Sequence, residues 1–285
     1  MASLPYIGQQ FTLYVGLYFL ITGLTGSIML IFIFISVFSY RRTPCTFYFI
    51  IATVHDCGQL IARLAPYVVS AYLNIDITRI SASWCKLRFF FATSLGAIPL
   101  TCACLATIDQ FLVTSQNVRF RQWSSIKIAY RVCSFFIIIW WLHGALWLYY
   151  QNISPITGTC VYLNSNFHVY AIIFVFSMLC FIHIIIMATF ACLAYRNIHK
   201  TTTLSRQNAD RQMTMMVCIQ VFLIVIGLSP YGIDIAYIFA TSNIQKSDDR
   251  KAKEAWAATI TYILCFLAYG VCTGVFSVKR DFESL

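Results

Sequence analysis

Seven long apolar runs fill this sequence, and the short segments between them hold most of its charge. The approximate spans are 14–39, 46–73, 84–115, 126–149, 168–196, 211–241 and 255–277. Each is about the ~20 residues a helix needs to cross a hydrocarbon layer of ~30 Å. Lipid offers the backbone no hydrogen bonds, so a spanning segment must satisfy its own, and helices are the expected solution. A membrane β-barrel needs short alternating segments, usually in even number, and the sequence has neither. The 285 residues are 60% hydrophobic and 11% charged, against ~25% charged in a soluble domain. The expected fold class is an all-α membrane protein, with residues 1–285 forming one domain, a seven-transmembrane helix bundle. The first run lacks a basic leader region and a small-residue cleavage site, so it is read as a retained span.

The formal net charge is +10. Lys and Arg gather on the cytoplasmic side of membrane proteins, which explains the basicity without nucleic acid as a partner. With the N-terminus outside, the inner segments carry Arg41, Arg42, Arg119, Arg121, Lys127, Arg131, Arg196, Lys200, Arg206, Arg211, Lys279 and Arg280, twelve of the 20 basic residues. Seven fall outside, with a cluster over 246–253 as the main dissent, and Arg63 lies within a span. The asymmetry points to an extracellular N-terminus and a cytoplasmic C-terminus, in a multi-pass protein of the plasma membrane.

Most of the 12 cysteines sit singly in apolar runs, where Cys behaves as a small hydrophobe. Cys85 and Cys160 alone fall outside the membrane on the oxidising side, so a bridge between them is expected. The link 150–167 has loop composition and holds a sequon at Asn152-Ile153-Ser154, with Pro155 directly after it. The tail carries Phe282 among charged residues. It reads either as a short amphipathic helix on the inner surface or as a frayed end. No internal repeat is visible.

The layout resembles the rhodopsin-like (class A) G-protein-coupled receptors over nearly the whole chain. Trp84-Cys85-Lys86 looks like the opening of that family's third helix, whose cysteine bridges to the second outer loop, here Cys160. Asp109-Gln110-Phe111 stands where the family has Asp-Arg-Tyr. Ala52-Thr53-Val54-His55-Asp56 matches Leu-Ala-x-x-Asp of the second helix, and Trp140 the tryptophan of the fourth. Ser229-Pro230-Tyr231 matches the proline kink of the sixth. Cys272-Thr273-Gly274-Val275-Phe276 falls where Asn-Pro-x-x-Tyr would stand. The texture is similar to divergent invertebrate peptide-receptor-like orphan receptors. The sequence departs from the pattern at Gln110, which lacks the family's arginine charge, at Leu228 in place of a tryptophan, at Cys272 and Thr273, and at Ser27. The fifth span has no proline.

The resemblance implies a receptor that passes the binding of a small extracellular ligand, a peptide in the leading reading, to a heterotrimeric G protein. Switch and coupling roles then fall on Asp56, Asp109, Gln110, Phe111, Pro230 and Phe276. It also implies a sodium site at Asp56. The facing positions Pro99 and Cys272 offer no matching oxygen, so the expectation is a neutral, water-solvated Asp56 and no bound metal or cofactor. Asp109 has two readings, a solvated charge or part of a G-protein contact. The candidate ligand residues are Gln59, Arg63, His143, Trp147, Asp234, Tyr237 and Tyr262. Gln59 and Arg63 are four apart and so share a helix face. Arg63 either pairs with Asp234 across the pocket or grips a ligand carboxylate through its planar fork.

Ala92 stands where amine receptors carry an Asp, and Phe266 where opsins carry their retinal-binding lysine. Amines and retinal are therefore disfavoured. Enzyme motifs are missing: the sequence has no His-Glu-x-x-His and no phosphate-cradling glycine loop. Two rivals remain. One is a non-signalling scaffold with the receptor fold, motivated by Gln110, Leu228 and Cys272. The other is a transporter, which the missing repeat disfavours.

Overall fold

The computed structural model describes residues 4–36, 43–75, 81–155, 158–200, 207–241 and 244–270. Arg41, Arg42, Asp76, Arg79, Arg206, the 272–276 motif with Phe276, and the tail with Lys279, Arg280 and Phe282 lie outside these residues. The described chain is helical apart from one small hairpin. Helix α1 is Leu4–Ser36 and α2 is Pro44–Leu73; α3 is Ala82–Thr114, α4 the short Val118–Trp123, and α5 Ile126–Tyr150. Strands β1 (Gln151–Ile153) and β2 (Cys160–Tyr162) follow. Helix α6 is built from Ser165–Phe174, Val175–Ile182 and His183–Lys200; α7 is Gln207–Ala240, α8 Asp248–Cys265 and α9 Leu267–Gly270.

Six of the helices (α1, α2, α3, α5, α6 and α7) are long and apolar enough to cross a membrane, so the chain is an all-α, multi-pass membrane protein. The seventh apolar run starts inside α8 and is described only to Gly270. Helix α8 begins seven residues before the apolar run because residues 248–254 make a good helix start. Ser247 caps it by accepting from the Arg250 amide, and Asp248 and Asp249 lie at the positive end of the helix dipole. Lys253–Asp249 and Arg250–Glu254 pair one turn apart, at 2.7 and 3.0 Å. Helix α1 likewise starts ahead of its apolar run. Its Gln9 reaches across to the end of α2 and donates to the Ala71 carbonyl and Asn74 Oδ1, both at 2.7 Å. Asn74 ends α2 in the left-handed region, φ 53°, where Asn is tolerated.

Helix α3 is the axle. Of its apolar window 72% is buried, against 22% for α1 and for α5. It packs on α2, α5, α6 and α7, while α1, α7 and α8 close the ring around it. It fits there because its middle is small: Ser94, Gly96, Ala97, Cys102, Ala103 and Ala106 let neighbouring backbones approach. Opposite Ser94 stands Gly144 of α5, and Ser94 Oγ donates to the Trp140 carbonyl at 3.2 Å. The contact continues as a polar chain. Trp140 Nε1 donates to Thr101 Oγ1 at 2.9 Å, and Thr101 meets His183 Nε2 of α6 at 3.2 Å. Outward faces are apolar, with Phe32 71% and Leu142 68% exposed, as a lipid-facing surface requires.

Two helices change pitch. Leu60–Leu64 of α2 and Val175–Ile182 of α6 form π turns. Pro66 follows the first and has no amide to donate, which disfavours regular α-helix just before it. The second has no proline; at its end His183 Nδ1 engages the Met178 carbonyl five residues back.

A Cβ at Gly144 would collide with Ser94 Oγ and stand 3.3 Å from the Phe90 carbonyl oxygen. Gly144→Val is therefore expected to destabilise the bundle by about 1–3 kcal/mol. Leu142→Ala on the same helix, facing out, should have little effect. Thermal unfolding of the two purified variants in detergent checks this.

Candidate functional site

The hairpin is fixed over the bundle by a covalent bond. Strands β1 and β2 pair antiparallel with Gln151 opposite Tyr162, Asn152 opposite Val161 and Ile153 opposite Cys160. Cys160 is bonded to Cys85 in the first turn of α3, Cα atoms 5.8 Å apart. Gly158 turns the hairpin at φ +62°, a conformation that favours glycine. Asn152 sits in mid-strand, its Oδ1 accepting from the Ile153 amide at 2.9 Å. Side chains two apart on a strand share a face. Tyr162 therefore points the way Cys160 does, into the bundle.

Beneath Tyr162 is a cavity of about 260 Å³. Its wall takes Arg63 from α2, Phe89 and Thr93 from α3, Leu179 from α6, Tyr231 from α7 and Tyr269 from α9. Both π turns lie on it, through Arg63 of one and Val175, Leu179 and Cys180 of the other. π turns recur at functional sites because they re-aim side chains.

Arg63 is the cavity's cation. Its Nε donates to the Tyr262 hydroxyl at 3.0 Å and one terminal nitrogen to the Tyr231 hydroxyl at 3.4 Å. The guanidinium carbon lies 4.8 Å from the Tyr262 ring centre. No described carboxylate pairs with it. A charged Arg at mid-helix costs ~2.5–3.5 kcal/mol on insertion scales, and a desolvated cation–π contact returns ~2 kcal/mol or more. Two of five N–H donors are used on neutral acceptors, which leaves capacity in the fork.

The sequence-derived residues divide here. Arg63 and Trp147 line the cavity, and Tyr262 joins it through Arg63. Gln59 does not. It is fully buried against α3, donating to the Ala92 carbonyl at 3.2 Å. The four-residue spacing still sets the two on one side of α2, since Ala92, whose carbonyl Gln59 meets, itself lines the cavity. The Arg63–Asp234 pairing is also not formed: Tyr231 meets Arg63, and Asp234 lies beside Thr261. His143 packs between α5 and α6, its Nε2 2.7 Å from the Tyr170 hydroxyl and its ring 4.2 Å from that of Phe174. Tyr162, His168, Tyr231 and Tyr269 were not among the residues singled out for the pocket. Strand alternation from Cys160 could have found Tyr162.

Tyr237 belongs to a separate polar lock at the cystine end. Its hydroxyl donates to Glu254 at 3.0 Å and accepts from Arg250 at 2.7 Å. Lys246 closes the lock on Glu254 at 2.6 Å. The Lys246 ammonium, then the Tyr237 and Arg250 bonds, hold the Glu254 carboxyl below its usual range against the opposing effect of desolvation.

At the far end of α3, Asp109 is buried rather than solvated, and its Oδ1 accepts from Ser124 at 2.6 Å. Gln110 Oε1 accepts from Thr214 Oγ1 of α7 at 3.0 Å, inside the protein. Phe111 packs against Phe190 and Phe120. Pro230 lies within α7, one residue from the cavity's Tyr231. Asp56 is 5% exposed and its Oδ1 has no hydrogen-bond partner among the described residues. Among the described residues no three His, Cys, Asp or Glu side chains are grouped to hold a metal.

A carboxyl with a depressed folded-state value contributes stability above its unfolded value, ~4.3 for Glu, and loses it as pH falls through the lower folded one. The thermal midpoint of the wild type should therefore exceed that of Glu254→Gln at neutral pH. The gap should close on acidification through that window.

No protein-family model matches the chain, and no curated protein sequence matches it.

Proposed function

We propose that this chain is a seven-helix receptor of the rhodopsin-like kind, carrying a signal from an extracellular ligand to a heterotrimeric G protein. One observation carries this reading. The same two helices, α3 and α7, wall the cavity at the cystine end and are latched at the far end by Gln110–Thr214. Thr214 and Tyr231 are 17 residues apart, ~25 Å along a helix, so a small swing of α7 at one end displaces the other. Pro230 interrupts the hydrogen bonding of α7 beside the cavity and supplies a flex point.

Orientation follows from chemistry. The cystine belongs on the oxidising face, hence outside. Arg119, Arg121, Lys127, Arg131 and Arg196 gather at the opposite end, hence inside. The α1 start lies by the end of α2 at the cystine end, which supports an outer N-terminus. The plasma membrane suits such a protein. The apolar run from Ala255 onward completes the seventh span. The inner face would present Phe111, the buried Asp109–Ser124 pair and basic α4 to the G protein.

A ligand acts by binding one helix arrangement better than another. Gln110–Thr214 is a neutral latch, and interhelical hydrogen bonds in membranes average ~0.6 kcal/mol with a maximum of ~1.7. Thr214→Val should raise ligand-independent nucleotide exchange roughly 3- to 18-fold. Gln110→Arg should change the response of a G protein that the wild type activates. Arg63→Ala should weaken the ligand response while surface expression stays intact. Cell-surface labelling with a promiscuous G-protein readout measures all three. A full response from Arg63→Ala would remove the cavity from the pathway.

The uncharged Gln110 also favours a second reading, a receptor-fold scaffold that binds partners without driving exchange. Partner binding with no nucleotide exchange in any variant would select it.

A further inference from the structure

We propose that the cavity takes the carboxylate of a small amphipathic acid, its anionic head forked on Arg63 between the Tyr231 and Tyr262 hydroxyls. The inference deepens the receptor reading and rests on it only for the side from which the ligand arrives.

Charge sets the head group. Among the described residues the cavity wall holds Arg63 and His168 and no carboxylate. Of the described acids at this end, Glu254 is engaged by Lys246 and Arg250, Asp248 by Lys251 and Asp249 by Lys253, while Asp234, next to the wall's Ile235, lies beside Thr261. One guanidinium in low dielectric with only neutral partners is a site for one negative charge, which it would hold bidentately. Both tyrosine hydroxyls now accept from Arg63. A hydroxyl is also a donor, so each can turn its hydrogen to an anion bound between them. A zwitterionic amino acid finds no partner for its ammonium in this wall.

The route in is charged the same way. A vestibule of about 590 Å³ opens at the cystine end between α1, α2, α3 and α8. Arg88 lines it and has no described acceptor, with its guanidinium carbon 5.9 Å from the Phe89 ring centre. Trp84 Nε1, also on its wall, is buried without a partner among the described residues. Tyr67 of this vestibule packs at a tilt against Tyr262, ring centres 4.8 Å apart, and Tyr262 is the residue that accepts from Arg63. An anion drawn to Arg88 is thus one aromatic layer from Arg63.

Size and lining set the body. About 260 Å³ is just under the ~300–1,000 Å³ of typical ligand pockets. Phe89, Val175, Leu179 and Ile235 make the remaining wall apolar. The carboxylate can belong to a free organic acid or to the C-terminus of a short peptide whose remainder fills the vestibule.

The test is thermal unfolding of the purified full-length protein, which needs no signalling. The probes are benzoate, 3-phenylpropionate and hexanoate at millimolar concentration, their carboxamides, sodium chloride, and the tripeptide Ala-Ala-Phe with a free or amidated C-terminus. The expected result is stabilisation by at least one carboxylate and not by its amide. The free acid acting alone identifies an organic acid; the free-ended tripeptide acting more strongly identifies a peptide terminus. Arg63→Gln should weaken the effective probe about 30-fold or more, as loss of one partner from a buried charge pair does. Should Arg63→Gln fail to fold, Tyr231→Phe with Tyr262→Phe gives the same comparison with the charge retained, and a weaker carboxylate response is expected. Equal stabilisation by acid and amide, by chloride and carboxylate, or none by any carboxylate overturns the assignment. Carboxylate stabilisation without G-protein activation leaves the site standing and sinks the receptor reading instead.

Discussion

The close approach of α3 to its neighbours is the contact on which the rest of the structure depends. Between lipid-embedded helices there is no water to expel, so association comes from packing and interhelical hydrogen bonds. Packing is strong only where backbones come close. The run from Thr93 to Thr107 supplies this with Ser, Gly, Ala, Cys and Thr, nearly all buried. Larger residues there would push α2, α5 and α6 outward. The cavity would lose its walls, and the polar chain from Trp140 through Thr101 to His183 would part.

Polar groups mark where the bundle departs from pure packing. Most are settled locally. Thr hydroxyls bond back to carbonyls of the preceding turn, as Thr53 does to Phe49. Gln59 and Ser94 bond across to neighbouring backbones. The ion pairs cluster at one end, where Lys246, Arg250 and Glu254 meet Tyr237 and tie α7 to α8. Two groups stand apart: Asp56, whose Oδ1 has no partner among the described residues, and Arg63, a cation deep in the bundle with two phenols and aromatic faces for company. The contrast with the satisfied residues gives the cavity its chemical direction.

The far end works with weaker forces. An arginine at the position of Gln110 would bring a charge into a buried contact, where its interactions run to several kcal/mol. The amide instead exchanges one neutral hydrogen bond with Thr214. On the receptor reading proposed above, so weak a contact leaves a shallow energy difference between two helix arrangements, which modest differential binding shifts.

The sequence by itself determined the solvent, the helices and the staple. Apolar runs of membrane length leave the backbone one way to satisfy its bonds, and Cys85, at the outer end of the third run, and Cys160, in an outer link, were the pair available on the oxidising side. Helix ends came within a few residues, except where polar side chains extended a helix beyond its apolar run, as at Gln9 and Ser247. Only the tertiary structure decided which residues face one another. Gln59 and Arg63 sit one turn apart on α2, yet Gln59 is spent on the α3 backbone while Arg63 reaches into the cavity. Tyr231 rather than Asp234 meets Arg63 because the rotation of α7 is set by its packing on α6 and α8, information spread over many residues and absent from any local pattern.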